Sequence, residues 1–187
     1  MTVQSDSSVT TMAAEIAGVA VLWVMLFKLN GWLFSSFEFA EHVNWIFLPA
    51  AVRVAAVLMF RMQGAIGLFV GALITANPEL SGSLSASIFA AGLSALAPLT
   101  AVYLASRKLK IPVDLQGLNF GQLAAMSFAG ASLSALAHTA FFSFQDSEIE
   151  RMAGFFPMFA GDLLGTLIVV YAVYFALRIR FPKPPAR

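Results

Sequence analysis

The sequence contains no cysteine. Disulfides, thiolate metal sites and cysteine nucleophiles are therefore excluded. Charge is also scarce: Asp, Glu, Lys and Arg make up 11% of the 187 residues, against about 25% in a soluble domain. Such a composition is not that of a disordered chain, a nucleic-acid binder or an ordinary cytosolic enzyme. No Gly-x-Ser-x-Gly elbow, paired intramembrane aspartates, His-Glu-x-x-His or phosphate loop occurs, so neither catalysis nor a cofactor is expected. What remains is apolar: 59% of the residues are hydrophobic and the mean hydropathy is +0.82. The reading is an all-α integral membrane protein, a compact bundle lying in a lipid bilayer.

Apolar runs between polar punctuation predict six transmembrane helices, at about residues 12–34, 45–60, 64–76, 84–106, 120–144 and 155–177. The second and third are short and joined only by Arg61-Met62-Gln63, so they read as a tight hairpin or one broken element. Pro49 and Pro98 inside spans predict kinks. Asn77-Pro78 ends the third span. Helices rather than strands are expected, because lipid offers backbone groups no partner and a period of two is absent. The chain divides into a polar tail at 1–11, the helical bundle at 12–178 and a basic, proline-rich tail at 179–187. The first tail lacks the basic region of a secretory signal, so the first apolar segment is expected to remain in the mature protein.

Lysine and arginine orient the bundle. Arg61, Arg107, Lys108, Lys110, Arg178, Arg180, Lys183 and Arg187, eight in all, fall on one side, and Arg151 with nearby Lys28 on the other. The basic side is expected to be cytoplasmic, with both termini there, in a bacterial inner membrane. Glu38, Glu41, Glu79, Asp146, Glu148 and Glu150 collect in the opposite loops. Glu38 and His42 are one helical turn apart, but a wet acidic loop explains them better than a metal, and no metal is expected.

Small residues recur at helical spacing, as Gly64, Gly67 and Gly71 in the third span, Ala129-Gly130-Ala131-Ser132 in the fifth, and Gly161 and Gly165 in the sixth. They let membrane helices approach closely. Packing within the chain is the first reading and homodimerisation through one face the second.

Three ionisable residues stand inside spans: Arg53, His138 and Asp162. Each is costly in hydrocarbon, by roughly 3 kcal/mol on insertion scales, and such residues face a bundle interior. With both spans entering from outside, Arg53 lies about 12 Å and Asp162 about 10 Å deep at 1.5 Å per residue. His138 is about 9 Å short of the outer end of its span. All three share one depth in the outer half of the membrane. Two readings follow: an Arg53–Asp162 bridge that fixes helix register, with His138 as a neighbour, or an outward-facing polar pocket for a small ligand or a proton.

Three stretches resemble the first class of the membrane-associated sensor (MASE) family. Residues 44–56, Asn-Trp-Ile-Phe-Leu-Pro-Ala-Ala-Val-Arg-Val-Ala-Ala, are similar to the family's tryptophan-proline start followed by a small-residue helix. Residues 67–73, Gly-Leu-Phe-Val-Gly-Ala-Leu, resemble its glycine-flanked hairpin partner, and residues 159–165, Phe-Ala-Gly-Asp-Leu-Leu-Gly, its closing helix. Here three residues separate Trp45 from Pro49. The resemblance implies a bacterial membrane input domain of the kind that precedes a kinase, cyclase or phosphodiesterase. Because Arg187 follows closely on the last span, no attached output domain is expected, and the chain is either a stand-alone sensor that signals through a partner or a relative with another task.

The leading expectation is thus a non-enzymatic sensory or small-ligand-binding protein. Arg53 would offer a fork of donors to an anionic group. Asp162 would hold Arg53 in the empty state, and His138 would add pH sensitivity. The alternative is the substrate-binding membrane subunit of a transporter, docking a coupling partner through Ala13, Ala14, Ala17 and Gly18; a structural partner in a larger complex is a third. A sensor would need a signalling partner beyond Arg178, where Pro182, Pro184 and Pro185 oppose a continuous helix.

Overall fold

The computed structural model describes residues 3–40, 43–76, 83–111, 119–144 and 154–180. Helix α1 runs Val3–Phe34, α2 Ala50–Thr75, α3 Leu84–Lys108, α4 Phe120–Ser143 and α5 Phe155–Arg180. A 3-10 turn, Ser35–Phe37, and a two-stranded antiparallel ribbon, β1 Glu38–Ala40 with β2 Val43–Asn44, fill the connection after α1. Five of these helices are long and apolar enough to cross a membrane. Each packs on the next in sequence, and α5 returns to α2.

The six expected spans become five because the helical parts of the second and third, residues 50–60 and 64–75, belong to one element, α2, broken at Arg61 (φ 49°, ψ −115°). The arms on either side are only about 16 and 21 Å long at 1.5 Å per residue, shorter than a hydrocarbon core of about 30 Å. The arms fold back on each other. A Cβ at Gly64 would collide with the carbonyl of Ala56, which a straight helix would hold about 12 Å away. Both outer ends of α2 also meet at Trp23. Phe47, just before the first arm, lies edge-on to its ring at 5.9 Å. Thr75, ending the second, accepts the indole N–H at 3.1 Å. The chain therefore leaves α2 on the side where it entered.

The first arm begins later than its apolar run suggests. Pro49 does not kink a span; it stands at the N-terminal cap of α2, where a missing N–H costs nothing. Residues 45–48 before it are non-helical and lie against α5. A Cβ at Gly161 would strike the Asn44 carbonyl, and one at Gly165 the Phe47 carbonyl. The two missing side chains let the backbone of α5 rest on this segment, and Phe47 N–H donates to the Gly161 carbonyl at 3.0 Å. From the other side, the buried Asn30 of α1 accepts the Leu48 N–H at 2.8 Å.

Gly67 and Gly71 mark the close contact of the second arm with α1. A Cβ at Gly67 would stand 2.7 Å from Val19 Cβ, and one at Gly71 2.8 Å from Trp23 Cβ. Pro98 lies inside α3. Two caps hold the far connections: Ser83 Oγ accepts the Ala86 N–H at 3.1 Å, and Asn119 and Gln122 form a reciprocal capping box at 2.9 and 3.0 Å. Ala13, Ala14, Ala17 and Gly18 remain exposed on α1.

Candidate functional site

Arg53 sits one turn into the first arm of α2, buried. Its Nη1 donates to Asp162 Oδ2 at 2.6 Å and to Ser134 Oγ at 2.8 Å. The guanidinium carbon lies 5.1 Å from the Phe47 ring centroid and 5.4 Å from that of Trp23. Two aromatic faces thus help replace the water the cation has lost. Asp162, on α5, is buried as well. It stands next to Gly161, so the same close approach that seats α5 on residues 44–48 brings its carboxylate to Arg53. Thr166 Oγ1 donates to the Asp162 carbonyl at 2.7 Å, within the same helix.

His138 does not touch the ion pair. It joins through Ser134, one turn earlier on α4. The Ser134 carbonyl can only accept, so the His138 Nδ1 at 2.9 Å carries the proton. Nε2 lies 3.4 Å from Ser94 Oγ, which donates to it when the ring is neutral. The order is Ser94, His138, Ser134, Arg53, Asp162, linking α3, α4, α2 and α5. The structure therefore brings Arg53 and Asp162 into contact and places His138 one residue away in the network.

These groups line a cavity of about 440 Å³. Arg53, Asp162, Ser134 and His138 stand among its polar residues, and Trp23, Phe27, Phe47 and Phe141 among its apolar ones. Arg53 uses Nη1 for both of its bonds, while Nε is buried without an acceptor among the described residues. A buried, half-satisfied guanidinium beside a cavity of ligand size can receive an acceptor group.

Several participants are not evident from sequence. Ser87, Ser94 and Ser134 are buried, yet in Ala-rich helices they read as packing residues. The available signal was spacing: Ser87 and Ser94 are two turns apart on α3, and Ser134 and His138 one turn apart on α4. Asn30 and Thr75 were also missed. Of the acidic loop, the Glu38 side chain, Glu41 and His42 lie outside what the structure describes. Among the described residues no group of three or more metal-ligating side chains occurs.

A protein-family model, MASE1, matches residues 11–187. The chain belongs to this family of membrane-associated sensory domains, and it is a multi-pass membrane protein. No curated protein and no solved structure matches the chain.

Proposed function

We propose that this MASE1 domain is a non-enzymatic sensor whose ligand is a small molecule with one polar or anionic end and an apolar body, taken into the cavity beside Arg53. The unused donors of Arg53 would receive the polar end, and the aromatic wall the body. Asp162 and Ser134 hold the guanidinium in place when no ligand is bound. The observation that carries this reading is the cavity of about 440 Å³ with Arg53, Asp162 and His138 in its lining.

The site would open to the outer side of a bacterial inner membrane, with both termini and the Arg61 turn in the cytoplasm. The fold-back of α2 supports this orientation, because it keeps the chain ends on one side even with five long helices. The two arms complete six membrane-entering segments without six full-length spans.

Thermal unfolding of the full chain in detergent, against short aliphatic and aromatic carboxylates and their uncharged amides, tests the ligand class. Carboxylates should raise the unfolding temperature more than the amides do. Ala90→Leu, which narrows the cavity without touching the ion pair, should abolish the shift. An unshifted wild type across the panel, or an Ala90→Leu variant that responds like the wild type, contradicts the proposal.

A further inference from the structure

A second cavity, of about 520 Å³, lies beyond the inner end of the first α2 arm. Among the described residues its cations are Arg61, Arg107 and Lys110, and no carboxylate lines it. Among the described residues none of the three forms a salt bridge. Arg107 lies over the Tyr103 ring at 4.3 Å. Below them the walls are hydrocarbon, from Val57 and Leu58 of α2 and from Leu99 and Val102 of α3. A basic rim over an apolar cleft between membrane helices fits an anionic amphiphile.

Backbone conformation adds an independent observation. Among the described residues only two that are not glycine have positive φ: Arg61 at 49° and Lys110 at 51°. Both carry positive charge and both line this cavity. Lys110 follows the Leu109 cap of α3. There the Ile111 N–H bonds back to the Ser106 carbonyl at 3.0 Å, the closing bond of a helix end that ordinarily uses glycine at the position of Lys110. At Arg61 the turn likewise favours glycine. Holding long cations where glycine suits the backbone costs stability, and such costs concentrate at functional sites. A general inside-positive bias asks for basic loops, not for cations at these two backbone positions.

We infer that this cavity binds the phosphate headgroup of an anionic phospholipid between Arg61, Arg107 and Lys110, with the start of its hydrocarbon against the α2–α3 cleft. A free phosphate compound shares the headgroup chemistry but gains nothing from the apolar walls. The site is separate from the Arg53 cavity and does not depend on what that cavity binds.

Native mass spectrometry of the full chain in detergent tests this, with palmitoyl-oleoyl phosphatidylglycerol and the phosphatidylcholine of the same chains as probes. Phosphatidylglycerol should be retained preferentially. Arg61→Gly and Lys110→Gly should each lower its retention by about fivefold, the effect of one basic residue near an anionic surface. Both variants suit their backbone positions, so their unfolding temperature without lipid should be unchanged or higher. Lys108→Gln, beside the cavity but not lining it, should retain lipid like the wild type. Equal retention of the two lipids, or equal loss in Lys108→Gln, would overturn the site. A lowered unfolding temperature in Lys110→Gly would overturn the strain argument. Displacement of phosphatidylglycerol by glycerol 3-phosphate at equal concentration would assign the site to a free phosphate and overturn the lipid.

Discussion

Arg53 and Arg61 stand on the same element, about two helical turns apart, in opposite surroundings. Arg53 is enclosed by four helices, and protein supplies its carboxylate, its hydroxyl and two aromatic faces. Arg61 is exposed on a left-handed backbone, and among the described residues two further cations and no carboxylate line its cavity. One arginine is neutralised from within and helps to close the bundle. The other has no carboxylate partner among the described residues and stands where the bundle can meet an outside anion. Depth accounts for the difference: a bare cation among packed helices is too costly, whereas one at a helix turn keeps its hydration.

Breaking each arginine in turn should expose this contrast. Arg53→Ala leaves Asp162 buried without its cation and should cost about 3–5 kcal/mol by unfolding in one detergent. Arg61→Gly, measured the same way, should cost nothing. Equal losses would show that the two residues do similar structural work.

The glycines sharpen the comparison between covered and uncovered faces. Gly165→Leu would drive a side chain into the Phe47 carbonyl and lift α5 from the segment that positions Arg53. A loss of about 1–3 kcal/mol or more is expected, as for overpacked cores. Gly18→Leu, where nothing lies within 4 Å, should leave unfolding unchanged. Asn30→Ala removes the acceptor of the Leu48 N–H and should cost about 1–3 kcal/mol if that donor finds no replacement.

The smallest perturbation tests the topology. The chain has no cysteine, so Met62→Cys, an exposed position at the α2 turn, introduces a single label site with negligible effect on stability. It should react with an impermeant maleimide from the cytoplasmic side only. Labelling from outside would invert the proposed orientation.

The bundle and its charged pair were legible in the sequence because apolar length and intramembrane charge are strong, local signals. Counting from each span's outer end placed Arg53, Asp162 and His138 at one level, and the first two touch. The number of full-length helices was not legible. Arg61-Met62-Gln63 marked an interruption, but its arm lengths and backbone reversal depend on Ala56 meeting Gly64. Pro49 read as a kink because residues 45–48 are apolar; their contact with Gly161 and Gly165 is what holds them outside the helix. The serine ladder through Ser94 and Ser134 stayed hidden, because serine among alanines carries the same pattern whether it packs or donates. The ribbon strands Glu38–Ala40 and Val43–Asn44 are too short to show any period.

The coupling of Arg53 to Asp162 is the central claim, and a double-mutant cycle measures it directly. Arg53→Ala, Asp162→Ala and the double variant would be compared by equilibrium unfolding in one detergent. The double variant should be destabilised by clearly less than the sum of the single losses, with a coupling in the range of about 0.5–3 kcal/mol found for interacting pairs. Strictly additive losses would contradict the claim.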